Sequence, residues 1–348
     1  MPQPQETNIA LAGFGAWGQM TAKALSAIEG ARIAAVYCHG EASERAAREL
    51  LPQARRFSDY ALMLQSGGID VVCVTVPNHR HAAFALAALE HRAHVFLEKP
   101  LGLSLAECDA VIAASRRSGR QVALDHEFRV SQQWRTAREL IEQGELGRVR
   151  YQRIGLFRRP FRPGSAGWRH DPARVGSWIL EELVHFADLV LWYARENGKP
   201  TRLRAAGSGA RAAQGLYDNL TLELFWEDGS TALLSQCLSG FEHHLVVEIT
   251  GSEGGVRSWW SGAMDRTLTP RFEFKTRRKG TDPMGPAEAL PIEFSGEVFE
   301  LEENLRLALA GFREGRSILP PEEARASIAV CLAAAEAART GREIGLAL

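Results

Sequence analysis

Apolar and polar positions in the first 126 residues follow two alternating patterns. Runs of four to seven apolar or β-branched residues predict buried parallel strands at 8–12, 32–38, 70–76, 94–98 and 121–125. Between them, helical spacing predicts helices at 16–29, 43–51, 60–65, 79–90 and 104–118. Regular alternation of strand and helix predicts a doubly wound parallel sheet, which binds ligands at the carboxyl ends of its strands.

The rest of the chain has a different pattern. After a predicted helix at 131–143, strands are predicted at 150–157, 201–207, 219–226, 231–238, 244–250, 255–260, 272–275 and 290–294. Turn sequences such as Glu227-Asp228-Gly229-Ser230 separate them, so we expect a large, mostly antiparallel open sheet. Helices are predicted at 177–195, 297–314 and 321–340. We therefore expect an α/β protein of two domains, 1–126 and 127–348.

Composition excludes several classes of protein. The 348 residues are 45% hydrophobic and 24% charged, with a net charge of −1, so no basic field favours nucleic acid or an anionic membrane. No apolar run approaches the ~18 residues that span a bilayer, and the N-terminus lacks a secretory pattern. The five cysteines are scattered, which fits neither a disulfide framework nor a metal site. We expect a cytoplasmic protein with reduced thiols.

A glycine-rich turn follows the first predicted strand and opens a helix. In this context Gly13-x-Gly15-x-x-Gly18 is typical of a loop that holds a dinucleotide pyrophosphate at a helix N-terminus. The alternative is an ordinary glycine turn. The residues predicted to contact the cofactor here are Gly13, Phe14, Gly15, Ala16, Trp17 and Gly18.

The end of the second predicted strand bears on the choice between NAD and NADP. An NAD site usually has Asp or Glu there, but this chain has Tyr37-Cys38-His39-Gly40. Ser43 and Arg45 follow, and with Cys38 and His39 they are predicted cofactor contacts that favour NADP. The alternative is that Arg45 only occupies a solvated helix face.

Two further strand ends carry polar residues to the same edge of the predicted sheet. Thr75, Pro77, Asn78 and His81 lie at the third strand end and are predicted to contact the cofactor, although Asn78 could simply cap a helix. Glu98-Lys99-Pro100 ends the fourth strand, and Glu98 and Lys99 are also predicted cofactor contacts. Burial and a nearby nicotinamide would suit Lys99 for proton transfer, whereas a lysine after a strand is more often a solvated loop residue.

Two segments of the second half carry candidate chemistry. Glu181 and His185 lie four residues apart on a predicted helix and would share one face, as a general base and its partner, or they are a structural helix pair. No third ligand accompanies them, so we expect no metal. Residues 148–174 contain eight arginines and one acid, including Arg158 and the pair Trp168-Arg169. This segment is either a charged loop or subunit interface, or an anion pocket for an acidic sugar.

These motifs together resemble the Gfo/Idh/MocA oxidoreductases over nearly the whole chain. The resemblance implies an N-terminal Rossmann domain for NADP or NAD. It also implies a C-terminal α/β domain whose open sheet joins subunits into a homodimer or homotetramer. In that family the lysine matching Lys99 assists proton transfer and positions substrate, and the histidine matching His185 is the acid/base. The peptide bond before the proline matching Pro100 is often cis.

The chain departs from the family pattern at two positions. Glu181 replaces the usual aspartate, and Glu127 stands where an amide is common, near the nicotinamide or the substrate. Arg129 fits the family's arginine. These departures bear on which substrate is used more than on the class of reaction.

We therefore expect an NAD(P)-dependent dehydrogenase acting on a secondary alcohol of a sugar, cyclitol or related polyol. Lys99, His185 and Glu181 are the expected catalytic residues, and Glu127, Arg158, Trp168 and Arg169 are expected to bind substrate. One alternative is a lyase or glycosidase that retains its cofactor and acts on an anionic sugar by transient oxidation and elimination. Another is a non-catalytic NADP-binding sensor.

Overall fold

The computed structural model describes residues 6–261, 271–292 and 298–348. The chain forms two compact units. The first comprises Met1–His126 with Glu300–Ile328, and the second comprises Glu127–Phe299 with Ala329–Leu348. Residues 300–328, near the C-terminal end of the sequence, thus belong to the first unit.

The first unit is built on six parallel strands in the order β3-β2-β1-β4-β5-β6. The strands are β1 (Thr7–Ala12), β2 (Ala31–Tyr37), β3 (Arg55–Phe57), β4 (Val71–Val74), β5 (His94–Leu97) and β6 (Val122–Leu124). The predicted doubly wound parallel sheet is confirmed. Its order reverses between β1 and β4, so the loops after these two strands flank the crevice where such sheets bind ligands.

Helices connect the strands of this sheet. They are α1 (Ala16–Ser26), α2 (Glu41–Leu50), α3 (Tyr60–Gln65), α4 (His81–Glu90) and α5 (Leu105–Ser118). At the start of α5, Ser104 Oγ accepts from the amide of Glu107 at 3.2 Å, and Glu107 Oε2 accepts from the amide of Ser104 at 3.2 Å. This reciprocal pair satisfies two amides that the helix leaves without intrahelical acceptors. Gly119 ends α5 with φ +67°.

A helix from the far end of the sequence completes the core of the first unit. Numbered in chain order, it is α9 (Val298–Arg313). Its Leu301, Leu305, Leu309 and Phe312 are buried in the same apolar cluster as Ile9 of β1. Their spacing of three and four residues places them on one helix face. Burial of this face explains why 300–328 belongs with the first unit.

The second unit is built on a nine-stranded sheet in the order β14-β13-β12-β11-β7-β10-β9-β8-β15. Only β7 and β10 pair in parallel among these described strands, so the predicted mostly antiparallel sheet is confirmed. The strands are β7 (Val149–Phe157), β8 (Arg202–Ser208), β9 (Asn219–Phe225), β10 (Thr231–Cys237), β11 (His244–Gly251), β12 (Gly255–Ser261), β13 (Phe272–Arg277), β14 (Glu288–Leu290) and β15 (Ile344–Gly345). Of the strand predicted at 290–294, residues 293 and 294 lie outside the described part of the chain, as does residue 297 at the start of a predicted helix.

The remaining helices are α6 (Gln132–Glu142), α7 (Pro172–Val175), α8 (Val184–Tyr193) and α10 (Pro321–Thr340), the last of which contains the boundary between the two units. The single helix predicted at 177–195 is a π-helical turn over Ile179–Leu183 followed by α8. A π-helical turn bonds residues five apart, which changes the faces that its side chains occupy.

Candidate active site

The three glycines of the first loop have distinct surroundings. Gly13 has φ +109°, and a Cβ there would lie 3.0 Å from the carbonyl oxygen of Thr75. A Cβ at Gly18 would come closer to the Gly13 carbonyl oxygen than unbonded atoms approach. At Gly15 nothing lies within 4 Å of the same position. The loop is therefore packed tightly at its two ends and open at its middle glycine.

This opening fits a dinucleotide cofactor. Gly15 is the N-cap of α1 and brings no side chain over the first turn, so the helix N-terminus faces the open space at this position. Such a terminus favours phosphate oxygens through its amides and its dipole. Ala16 is exposed, whereas Phe14 is buried in the core and contributes only backbone to the loop.

The predicted contacts after β2 differ in exposure. His39 and Arg45 are exposed, and Ser43 Oγ donates to the carbonyl oxygen of Gly40 at 2.8 Å. Cys38 is buried, and burial raises the pKa of its thiol. The Cys38 thiol donates to the carbonyl oxygen of Ser43 at 3.6 Å, while His39 and Arg45 have exposed side chains at the position where a 2′-phosphate would bind.

The loop after β4 is braced from two sides. Thr75 Oγ1 donates to the carbonyl oxygen of Gly13 at 2.9 Å, which ties this loop to the glycine turn. His81, which is fully buried, has its two ring nitrogens 2.7 Å from the carbonyl oxygen of Val76 and 2.6 Å from that of Pro100. Asn78, which lies between Val76 and His81 in the sequence, is buried, and Pro77 is half-buried. His81 thus connects the loop after β4 to the loop that carries Lys99.

The Glu98-Lys99-Pro100 segment lies directly after β5. The peptide bond between Lys99 and Pro100 is cis, and the Lys99 side chain is half-buried. Glu98 is buried and accepts a hydrogen bond from the indole N–H of Trp17, the residue that precedes Gly18. Trp17, predicted to contact the cofactor, therefore also links the glycine loop to the Lys99 loop.

A buried carboxyl group that sequence reasoning did not include lies near this segment. Asp125 follows β6, is fully buried, and accepts from Nδ2 of Asn304 on α9 at 2.6 Å. Burial raises the pKa of Asp125, while hydrogen bonds with Glu98 and Asn304 and the charge of Lys99 act in the opposite direction. Its position after a strand of the same sheet was the one available signal, because Asn304 is distant in sequence.

In the second unit, His185 is the second residue of α8 and is 7% exposed. Its Nδ1 lies 3.8 Å from Oε2 of Glu127, which is also buried. The ring of Phe128 packs against the imidazole with centroids 5.1 Å apart. A carboxylate and an aromatic ring from the same short segment therefore face His185.

Glu181 lies in the π-helical turn, so the argument from α-helical spacing to His185 does not apply to it. Its Oε1 accepts from Nε of Arg169 at 2.8 Å. The Trp168 ring lies under the Arg169 guanidinium at 4.6 Å, and a Cβ at Gly164 would be 2.6 Å from the Trp168 indole nitrogen. The Trp168-Arg169 pair is thus held in place on the buried carboxylate.

Two other arginines in this region are also paired with carboxylates. Nη1 of Arg158 lies 2.7 Å from Oε2 of Glu182, and Arg129 donates twice to Asp188 at 2.7 and 2.8 Å. In the arginine-rich segment, Arg158 and Arg169 are thus both engaged by internal carboxylates.

The predicted residues thus form two groups, one at the carboxyl edge of the parallel sheet and one around the start of α8. Within the described ranges, no group of three or more His, Cys, Asp or Glu side chains is arranged to hold a metal ion. None of the described helices combines the length and apolar character needed to cross a membrane.

Comparisons with known proteins match both units. A family described as oxidoreductases with an NAD-binding Rossmann fold matches residues 7–126, and the Gfo/Idh/MocA C-terminal domain matches 134–257. The 2,7-anhydro-N-acetylneuraminate hydratase of Escherichia coli is 30% identical over 258 residues, covering 72% of this chain and 67% of the relative. Inositol 2-dehydrogenase of Salmonella typhimurium is 28% identical over 152 residues, and that match spans only 43% of either protein.

A solved structure shows the same fold. GenD2 from gentamicin A biosynthesis, in complex with NAD, superposes with a TM-score of 0.83 at 20% identity, covering 100% of this chain and 98% of that one. The two family matches and the hydratase relative together establish that this chain belongs to the Gfo/Idh/MocA family of oxidoreductases, with the NAD-binding Rossmann fold in its first unit.

Proposed function

We propose that this protein is an NAD(P)-dependent oxidoreductase that interconverts a secondary alcohol and a ketone in a sugar, cyclitol or related polyol. The observation that carries the proposal is the open cradle at Gly15, tied through Thr75, Trp17 and His81 to the loop of Lys99. The inositol 2-dehydrogenase relative acts on a cyclitol by name, which supports this class of substrate.

The side chains have the following roles in this proposal. The loop around Gly15 would hold a nicotinamide dinucleotide, and the nicotinamide would supply the hydride acceptor for the oxidation. His185 takes the hydroxyl proton as the carbon–oxygen double bond forms. Lys99 donates a hydrogen bond to the same oxygen or serves as the alternative acid/base. Glu181 orients His185 or accepts from a neighbouring hydroxyl. Trp168, Arg169 and Arg158 line the substrate pocket, and Glu127 lies at its edge beside His185.

We propose NADP as the preferred cofactor. No carboxylate ends β2, and the exposed Arg45 and His39 would contact a 2′-phosphate. Arg45→Glu is expected to weaken NADPH binding at least tenfold and NADH binding much less, measured by fluorescence titration. The matched control is Arg48→Glu on the same helix, since Arg48 is already paired with Glu44 at 3.0 Å. Equal loss of both cofactors would refute the preference.

The open face of the nine-stranded sheet is the proposed subunit contact. It exposes Tyr151 and Phe157, and His244 stacks between Phe157 at 5.2 Å and Trp259 at 4.6 Å. A second copy would cover these rings in a homodimer or homotetramer. Light scattering of Phe157→Glu should then show a smaller species than the wild type. We also infer a cytoplasmic location, in keeping with five free thiols.

The function is tested by turnover and product analysis. Purified protein with NADP or NAD is given myo-inositol, D-glucose and D-glucuronate, and cofactor reduction and products are followed. Lys99→Ala and His185→Ala should each lower kcat by about 10²–10⁴-fold, whereas the exposed controls Lys23→Ala and His91→Ala should not. Rates for the first two variants within tenfold of wild type would contradict the assigned roles.

The name of the hydratase relative supports a second candidate function. A cofactor-retaining enzyme that oxidises a sugar transiently and eliminates or adds a group would use the same residues. Its product would change without net cofactor reduction. Net reduction with a stoichiometric ketone product favours the dehydrogenase.

A further inference from the structure

A buried carboxylate from outside its helix lies beside the histidine that is proposed to transfer the proton. Oε2 of Glu127 lies 3.8 Å from Nδ1 of His185, which is within ion-pair range and longer than a hydrogen bond. Both side chains are less than a tenth exposed, at 6% and 8%. Water therefore screens this pair weakly, and a charge on one side chain acts strongly on the other.

The surrounding carboxylates engage arginines instead. Glu181 accepts from Arg169, Glu182 pairs with Arg158, and Asp188 pairs with Arg129, at distances of 2.7 to 2.8 Å. These three pairs hold the π-helical turn and α8 from two loops and from the 127–129 turn. The carboxylate of Glu127 is placed against the imidazole of His185.

The position of Glu127 is set by its own segment. Residues Glu127–Arg129 form a short 3-10 turn in which Phe128 packs on the His185 ring and Arg129 is bound to Asp188 of the same helix. The turn therefore contacts α8 through both Phe128 and Arg129, which keeps the carboxylate of Glu127 beside Nδ1 of His185.

We propose that Glu127 is the positioning residue for His185: it orients the ring from the Nδ1 side and stabilises the imidazolium that forms when Nε2 takes the substrate proton. This inference rests on the proposed function for its catalytic consequence. The proton moves from the substrate hydroxyl to Nε2, and the carboxylate of Glu127 remains ionised throughout. The same division of labour between carboxylate and imidazole operates in hydrolytic triads.

Other charged groups on the elements packed against α8 must be kept constant in a test. They are Glu181, Glu182 and Asp188 on the helical segment itself, and Arg129, Arg158, Arg169 and Arg138 on the neighbouring elements. Each is engaged in an ion pair that Glu127→Gln leaves in place. That substitution keeps the size of the side chain and removes only its charge.

The first experiment is the pH profile of kcat for alcohol oxidation. Without the carboxylate, the imidazolium is less stable, so the acid limb of the profile for Glu127→Gln should move to lower pH by about one unit. Glu127→Asp should restore part of the shift. The control is Glu248→Gln, which removes a carboxylate paired with Arg153 on the sheet and should leave the profile unchanged. A Glu127→Gln profile that superimposes on the wild type, or shifts to higher pH, overturns the proposal.

The second experiment does not need turnover. Histidine ¹⁵N chemical shifts of the wild type are followed by NMR across the same pH range, with His185 identified by comparison with His185→Gln. The proposal requires a neutral His185 protonated at Nδ1 and a lower titration midpoint in Glu127→Gln. An Nε2-protonated ring, or an unmoved midpoint, overturns it even if Glu127→Gln cannot be assayed for activity. Absence of any dehydrogenase activity would instead refute the proposed function. The titration would then still test whether Glu127 interacts with His185. If Glu127→Gln does not fold, the proposal is tested by the His185 tautomer of the wild type and by the His185 titration midpoint of Glu127→Asp.

Discussion

The imidazole of His81 joins two loops of the first unit, with Nε2 2.7 Å from the carbonyl oxygen of Val76 and Nδ1 2.6 Å from that of Pro100. The ring therefore connects the loop after β4 to the residue that follows Lys99. His81 remains a predicted cofactor contact, and this geometry adds a role in holding the two loops together.

His81→Ala should destabilise the protein and impair catalysis. Loss of two buried hydrogen bonds leaves two carbonyl oxygens without these donors, at a cost of about 2–4 kcal/mol in the free energy of unfolding. If Lys99 acts in catalysis, kcat should fall at least tenfold. The comparison is His91→Ala at the other end of α4, where the imidazole is exposed, and it should change neither quantity. A stable His81→Ala protein with normal kcat would show that the bridge is dispensable.

Gly15→Ala and Gly18→Ala should separate cofactor binding from folding. Space for a Cβ exists at Gly15, so this variant should fold with an unchanged melting temperature and lose cofactor affinity by about tenfold or more. At Gly18 an added Cβ would clash with the backbone of Gly13, so the melting temperature of Gly18→Ala should be lower than that of the wild type even without cofactor. Thermal melting and NADPH titration check both. Equal cofactor affinity of Gly15→Ala and wild type would place the pyrophosphate elsewhere.

Asp125→Asn should change how stability depends on pH. Burial raises the pKa of Asp125, so the folded protein keeps a proton that the unfolded chain releases above about pH 3.9. The free energy of unfolding of the wild type therefore falls as pH rises through that value, and the variant should lack this fall. Urea denaturation from about pH 3 to pH 8 measures it. Parallel curves for the two proteins would contradict the assignment, and the exposed Asp70→Asn is the control.

Ser104→Ala should cost about 1 kcal/mol in the free energy of unfolding, because the amide of Glu107 loses its side-chain acceptor. Ser26→Ala, at the C-terminal end of α1, is the control, since its hydroxyl donates to the carbonyl oxygen of Ala22 at 2.9 Å. Urea denaturation of both variants gives the comparison. Similar midpoints for the two would indicate that the cap contributes little.

Local patterns were sufficient to predict the parts of the first unit that depend on neighbouring residues. The glycine spacing, the capping pair Ser104 and Glu107 and the buried apolar strands are each determined within a few residues. The strand β3 was not predicted, because Arg55–Phe57 is short and has two arginines, and only pairing with β2 defines it.

Contacts between residues that are distant in the sequence could not be predicted from local patterns. The prediction that Glu181 orients His185 rests on the spacing of a continuous α-helix, whereas Glu181 lies in a π-helical turn and accepts from Arg169. Glu127, from a distant segment, also lies beside the imidazole. Similarly, Asp125 and Asn304 are 179 residues apart. The helical spacing of a sequence does not indicate which side chains from distant segments will contact each other.

The late return of α9 to the first unit constrains the order in which the chain can mature. Leu301, Leu305, Ala308, Leu309 and Phe312 fill a core whose other members lie in the first 123 residues. A nascent chain synthesised only as far as His126 therefore lacks these side chains, and the apolar surface that they cover is still exposed. We expect the dinucleotide-binding unit to reach its final packing only near the end of synthesis, and a fragment cut before α9 to bind chaperones rather than cofactor.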